Sequence, residues 1–228
     1  MRTEPTELDH LLASIRACRT CVEVPESRPL QHEPRPVLRA SATARLAICS
    51  QAPGTRVHGT GIPFTDASGD RLRDWMGVTP QEFYDESRLA IIPMGFCFPG
   101  QDANGADLPP RAECAKLWHP TLFARLPQLE LVLAVGSYAQ RWHLGDTAGM
   151  SLEATMRDWR RYRRRKTRPR VLPLPHPSWR NNLWLKRNPW FEEELLPVLR
   201  REVCKLLGNQ TRLKKISCSG KRNILLAR

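Results

Sequence analysis

The chain has 228 residues, 41% of them hydrophobic, which suits one sizeable α/β core and excludes wholesale disorder. No apolar run reaches the roughly 20 residues of a membrane helix, and residues 1–10 carry acids rather than a basic-then-apolar leader, so a cytoplasmic protein with reduced thiols and no membrane partner is expected. The formal net charge of +13 and the pI of about 10.0 call for a polyanionic partner, DNA or RNA.

Leu8, Leu11, Leu12 and Ile15 recur at helical spacing and predict an amphipathic helix that leads into Cys18. Residues 24–41 carry Pro25, Pro29, Pro34 and Pro36 and read as an extended connection over the surface. Four apolar runs of strand length follow, at Arg45–Cys49, Leu89–Pro93, Leu129–Val135 and Val171–Leu174. Helical patterns lie between them. Thr79-Pro80-Gln81-Glu82 offers a cap, a first-turn proline and a capping-box acid. A helix is expected over Ser151–Tyr162, and a closing one from Asn188-Pro189 to about Leu207. The alternation predicts a three-layer α/β/α sandwich around a four-stranded, mainly parallel sheet. Residues 1–207 form one domain in this reading, and 208–228 a basic, flexible tail; a monomer is expected.

Ligands of such sheets bind beyond the carboxyl ends of the strands. The loops to inspect are therefore Ser50–Ser68, Gly95–Pro109, Gly136–Ser137 and Pro175–Trp184.

Seven cysteines in a reducing compartment invite a metal reading. Cys18 and Cys21 form a CxxC after the first helix. Cys97 follows the second strand, and sixteen residues separate it from Cys114, on a helix opened by Pro109-Pro110. Four thiolates suit tetrahedral zinc or a cubane iron–sulfur cluster, and spacing does not separate the two. Cys49, inside a strand, reads as a small core residue.

The first loop runs Ser50-Gln51-Ala52-Pro53-Gly54, then Gly61-Ile62-Pro63-Phe64-Thr65-Asp66; the last contains His176-Pro177-Ser178. The Ala-Pro-Gly turn after a strand, the Gly-x-Pro-Phe and the late His-Pro-Ser resemble the signature motifs of the uracil-DNA glycosylase superfamily. The four cysteines resemble those of its iron–sulfur branch, families 4 and 5. The resemblance spans about residues 8–205 and implies a [4Fe–4S] cluster on Cys18, Cys21, Cys97 and Cys114, with zinc as the alternative. Ser50-Gln51 stands where family 4 has Gly-Glu, so that carboxylate is missing. Family 5 instead has an acid shortly after its Phe-Thr, near the position of Asp66.

The resemblance also implies roles. A base is reached only after extrusion from the stack; Phe64 would lie against its ring, or serve simply as core. Asp66 would orient water and stabilise the sugar cation, or cap the next helix. His176 would donate to the departing base, and His58 is a second acid–base candidate. Gln51, Ala52 and Asn104 would contact the base. Ser178, Trp179, Arg180, Lys186 and Arg187 would contact DNA, with Trp179, Leu183 or Trp184 as a wedge. The run of eight basic residues within 160–170 reads as a phosphate-facing or solvated turn. The expected activity is hydrolysis of the glycosidic bond of uracil or another deaminated base in single- or double-stranded DNA. The alternatives are a different lesion chemistry on the same fold, or a cluster-bearing nucleic-acid binder with a degenerate site.

Overall fold

A computed structural model describes residues 4–146 and 150–208. Its sheet has four parallel strands, β1 (Leu46–Cys49), β2 (Leu89–Ile91), β3 (Leu131–Val135) and β4 (Arg170–Leu174), in the order β2-β1-β3-β4. All four strands lie within a residue or two of the apolar runs. Both faces are covered, as a sheet without a polar face requires.

The two faces differ in side-chain size. Leu46, Ile48, Leu89, Ile91, Leu131, Leu133, Val135, Leu172 and Leu174 point into one core, whereas Ala47, Cys49, Ala90, Val132 and Ala134 point into the other. The period-2 pleat sorts large from small within runs that look uniformly apolar. Small residues let helices approach closely on the second face, and Cys49 is there as a fully buried core residue.

Eleven α-helices among the described residues surround the sheet. In chain order they are α1 (Glu7–Arg16), α2 (Thr20–Glu23), α3 (Thr55–Thr60), α4 (Ala67–Met76), α5 (Pro80–Phe83) and α6 (Ala112–Ala124). The remainder are α7 (Gly136–Leu144), α8 (Leu152–Arg157), α9 (Trp159–Arg163), α10 (Asn182–Arg187) and α11 (Leu196–Leu206). α1, α6 and α7 pack on the small-residue face; α4, α8, α9 and α11 pack on the other.

Thr79 and Glu82 form the expected capping box on α5, and Thr6 and Asp9 form another on α1. Three expectations are corrected. The helix over Ser151–Tyr162 breaks at Asp158 into α8 and α9. Pro109-Pro110 precede α6, which starts at Ala112. Asn188 does not cap the closing helix with its side chain, because its Oδ1 accepts from Trp190 Nε1 (2.8 Å) and Arg157 Nη2 (3.1 Å) instead. That helix opens with a wide turn, Phe191–Leu195, before α11.

The proline-rich stretch does more than cross the surface. Its end docks on the edge strand: Arg39 and Ile91 exchange backbone bonds at 2.9 and 2.8 Å, and Val37 N donates to Phe96 O at 2.7 Å. Leu30, Val37, Leu38 and Ala40 are buried there, so the segment covers an edge that would otherwise be open. The tail expected over 208–228 lies, apart from Gly208, outside the described residues.

Candidate active site

The strand order reverses between β1 and β3, and an open cavity of about 710 Å³ sits beyond the carboxyl ends of the strands. The loops after β1, β2 and β4 line it with Gln51 and Ala52, Pro93 and Asp107, and His176; the loop expected at Gly136–Ser137 is instead the start of α7, which contributes Tyr138. Among the residues expected at a site, Gln51, Ala52, Phe64, Asp66, His176, Ser178, Trp179 and Arg180 share this cavity. His58 does not line it; it lies against His32 and Phe98, with ring centroids 4.5 and 5.7 Å away.

Phe64 is both wall and core. Its ring meets Phe83 edge-on at 5.9 Å, and it is the one non-glycine residue with positive φ (55°) among those described. Such a backbone costs about 1–3 kcal/mol and persists only where its surroundings hold it. Here the Phe64 carbonyl accepts from Tyr84 Oη (3.2 Å) and Arg73 Nη1 (3.1 Å). Gly69 is required beside it, since a Cβ there would lie 1.9 Å from Phe64 O.

Asp66 is the N-cap of α4: its Oδ1 accepts from Gly69 N at 2.9 Å. That bond fixes the rotamer and leaves Oδ2 without a protein partner among the described residues. The cap and the cavity position are compatible, so the two readings of this residue do not compete.

His176 is held by its own loop. Ser178 N donates to His176 Nδ1 at 3.3 Å, and Asn181 Nδ2 donates to the His176 carbonyl at 2.7 Å. A backbone N–H cannot accept, so Nδ1 is the acceptor nitrogen and Nε2 carries the hydrogen. Burial pushes the imidazole below its ordinary pKa, against the pull of the Asp66 and Asp107 carboxylates. The ring is therefore a neutral donor at neutral pH. Arg71 on α4 clamps the same loop, donating to Ser178 O (3.2 Å) and Asn182 Oδ1 (2.9 Å).

Gln51 lines the cavity as expected, whereas Asn104 is placed differently from expectation. The Gln51 amide nitrogen is used internally, on Leu108 O at 3.2 Å. Asn104 lies outside the cavity lining, at the exposed tip of a hairpin whose arms are bridged by Gln101 and Asp107. Asp102 Oδ1 accepts from Asn104 N and Ala106 N, both at 2.9 Å, and this closes the turn. The hairpin brings Gln101, Gly105 and Asp107 to the cavity, and sequence reasoning missed the Asp107 carboxylate. The Asn104-Gly105 pair, a strong tight-turn signal, was the available clue.

Trp179 and Leu183 are exposed at the mouth, 73% and 58% respectively, while Trp184 docks on Trp190 and Phe191 with centroids 5.9 Å away in each case. Trp184 thus belongs to the core. Arg180, Lys186 and Arg187 are exposed on the same segment. The basic run within 160–170 is largely exposed, as a solvated turn would be, but five of its eight cations are ion-paired. Arg160 pairs with Glu194, Arg161 and Arg165 with Asp146, and Arg163 and Arg170 with Glu202. It also precedes β4, so it lies at the amino end of the sheet, opposite the cavity.

A second, closed cavity is lined by Cys18, Cys21, Cys97 and Cys114, together with Ile15 and Trp118. All four thiols are free. Phe96 N donates to Cys114 Sγ at 3.3 Å, Arg111 donates to Cys21 and the Arg35 backbone to Cys97. Burial pushes the Cys97 thiol up to about 12 and raises Cys21 and Cys114 too. Buried thiolates therefore need cationic company beyond these N–H groups. As they stand, no three His, Cys, Asp or Glu side chains among the described residues form a group able to hold a single metal ion. No described helix is long and apolar enough to cross a membrane.

The polar cavity at the strand ends and the loops that build it fall inside residues 39–200, which match the family model of the uracil DNA glycosylase superfamily, and the chain belongs to that superfamily.

Proposed function

We propose that the protein is a DNA glycosylase that hydrolyses the bond between deoxyribose and uracil, or another deaminated base, in base-excision repair. The observation that carries this reading is the meeting of Asp66, Phe64 and a neutral His176 with a free Nε2–H in one open cavity. An extruded base enters beside Phe64. As the glycosidic bond lengthens, negative charge gathers on the base oxygen, and His176 Nε2–H donates to it. Positive charge gathers on the sugar, where the free oxygen of Asp66 stabilises it and orients the attacking water. Trp179 and Leu183 fill the gap left in the stack, with Arg180, Lys186 and Arg187 on the flanking phosphates.

The donor chemistry of the second cavity fits a [4Fe–4S] cluster. Four free thiols line one buried space, and N–H groups point at three of their sulfurs. A cubane spreads its four thiolate bonds over four irons, so its ligands stand farther apart than four ligands on one zinc at about 2.3 Å. Cys18, Cys21, Cys97 and Cys114 would hold the cluster, which would join α1, the proline-rich segment and the Cys97 loop. A cluster held in this way would belong with the iron–sulfur branch of the superfamily.

Anaerobically purified protein should cleave single- and double-stranded oligonucleotides at one uracil after alkaline treatment. Retained binding without any cleavage would overturn the glycosylase reading.

A further inference from the structure

Among the described residues Arg111 is the one cation that lines the closed cavity. Its guanidinium is engaged on every side. Nε and Nη2 donate to Glu113 Oε1 at 2.9 and 2.6 Å, and Nη1 donates to Arg28 O at 2.6 Å. A further N–H reaches the Cys21 sulfur. The two side chains are only 13% and 8% exposed, so this is a buried ion pair. Arg111 precedes α6, Glu113 lies in its first turn, and Cys114 follows directly. Arg28 belongs to the proline-rich segment, so one guanidinium joins that segment, α6 and two of the four cysteines' neighbourhoods.

Taking both ions of a pair out of water is costly, and a single bonded carboxylate rarely offsets it. A carboxylate beside four thiols is also the wrong sign for a site that binds through thiolates. Glu113 makes sense there as the clamp that aims Arg111. A cubane held by four thiolates carries net negative charge, and its reduction potential follows that charge and the hydrogen bonds to its sulfurs. We infer that Arg111, aimed by Glu113, is the positioning residue of the four-cysteine site: its charge and its N–H on the Cys21 sulfur retain the bound cluster and raise its reduction potential. This inference rests on the cluster reading above and adds which residues outside the cysteines tune that group.

The test uses full-length, anaerobically purified wild type beside Arg111→Gln and Glu113→Gln. Iron per chain, the rate of iron loss to excess EDTA and the midpoint potential in a dithionite titration are measured for each. Arg111→Gln removes a positive charge, so its midpoint should move to more negative potential. Its iron should be lost about 10–100-fold faster, the usual scale for a residue that orients a metal ligand. Glu113→Gln keeps Oε1 as an acceptor for Arg111 and removes a negative charge, so its midpoint should move to more positive potential. A pair that merely packs would not move the two midpoints in opposite directions. Midpoints that stay at the wild-type value, or shift the same way, overturn the inference while leaving the cluster in place. Should Arg111→Gln give no soluble protein, Glu113→Gln decides: an unchanged or lowered midpoint overturns the inference. Wild-type protein that contains no iron overturns the cluster reading itself.

Discussion

The two cavities share one stretch of chain and are built on opposite principles. Pro93 and Pro99 face the open cavity, while Gly95, Phe96 and Cys97 between them face the closed one. The open cavity is assembled from the ends of regular elements: β1, β2 and β4 each contribute a loop, the first turn of α7 contributes Tyr138, and the N-cap of α4 contributes Asp66. Its polar groups keep one valence engaged by the backbone and leave another unused. The closed cavity is assembled from pieces that are distant in sequence and have no polar partner except the thiols and the N–H groups aimed at them. The difference teaches where each site gets its order. The first is ordered by the sheet, and the second, on the proposed cluster reading, would be ordered by the group its four sulfurs hold.

That contrast can be broken most severely at the cysteines. Structural metal sites supply folding free energy on the order of 10 kcal/mol, so Cys114→Ala or Cys18→Ala is expected to lose solubility and cooperative unfolding. Iron content and a broad visible absorbance should disappear with it. Zinc in place of iron in the wild-type protein would overturn the cluster assignment.

Asp66 tests the other side. Asp66→Ala is expected to lower turnover by about 10²–10⁴-fold, the usual scale for an acid–base group, with DNA affinity retained. Loss of the cap should cost only about 1 kcal/mol of stability, so a normal unfolding curve beside normal turnover would remove Asp66 from the mechanism.

Two neighbouring tryptophans sharpen the comparison between core and mouth. Trp184→Ala should destabilise the fold by about 2–3 kcal/mol, since the ring packs on Trp190 and Phe191. Trp179→Ala should change stability by less than about 0.5 kcal/mol yet weaken binding to uracil-containing duplex about tenfold. Equal effects of the two on stability would contradict the exposure of Trp179.

His119 links the two cavities and carries a pH dependence. It is fully buried, stacks on Phe96 at 5.5 Å, and its Nε2 donates to Pro93 O at 3.0 Å. Burial pushes its pKa down from 6.5 to about 4, partly offset by the Pro93 bond. The unfolded chain therefore takes up this proton first. The stability contributed by keeping the ring neutral is complete above pH 6.5 and is lost as pH falls toward 4. The loss runs at no more than about 1.4 kcal/mol per pH unit. Denaturant midpoints measured from pH 7 to pH 4 should fall more steeply for wild type than for His119→Gln.

The strands, the capping box of α5 and the positions of most candidate-site loops were legible because each is written in adjacent residues. An apolar run, a Thr three residues before an acid and a glycine-rich turn need no distant partner. The sequence by itself also determined the four-cysteine set and, through two short motifs, the superfamily. Only the tertiary structure decided what depends on two distant segments meeting. Arg160–Arg170 looked free until Glu194, Glu202 and Asp146 arrived beside it. Asn188 has the right type for a cap, yet Trp190 and Arg157 take its oxygen. Trp179 and Trp184 read alike until Trp190 and Phe191 covered one of them. Asn104 and Asp107 are three residues apart, and only the hairpin register put the second on the cavity wall. The physical reason is the same in each case. Local hydrogen bonds and side-chain size are properties of neighbours in the chain, whereas charge pairing, burial and register are settled by which surfaces the folded sheet brings together.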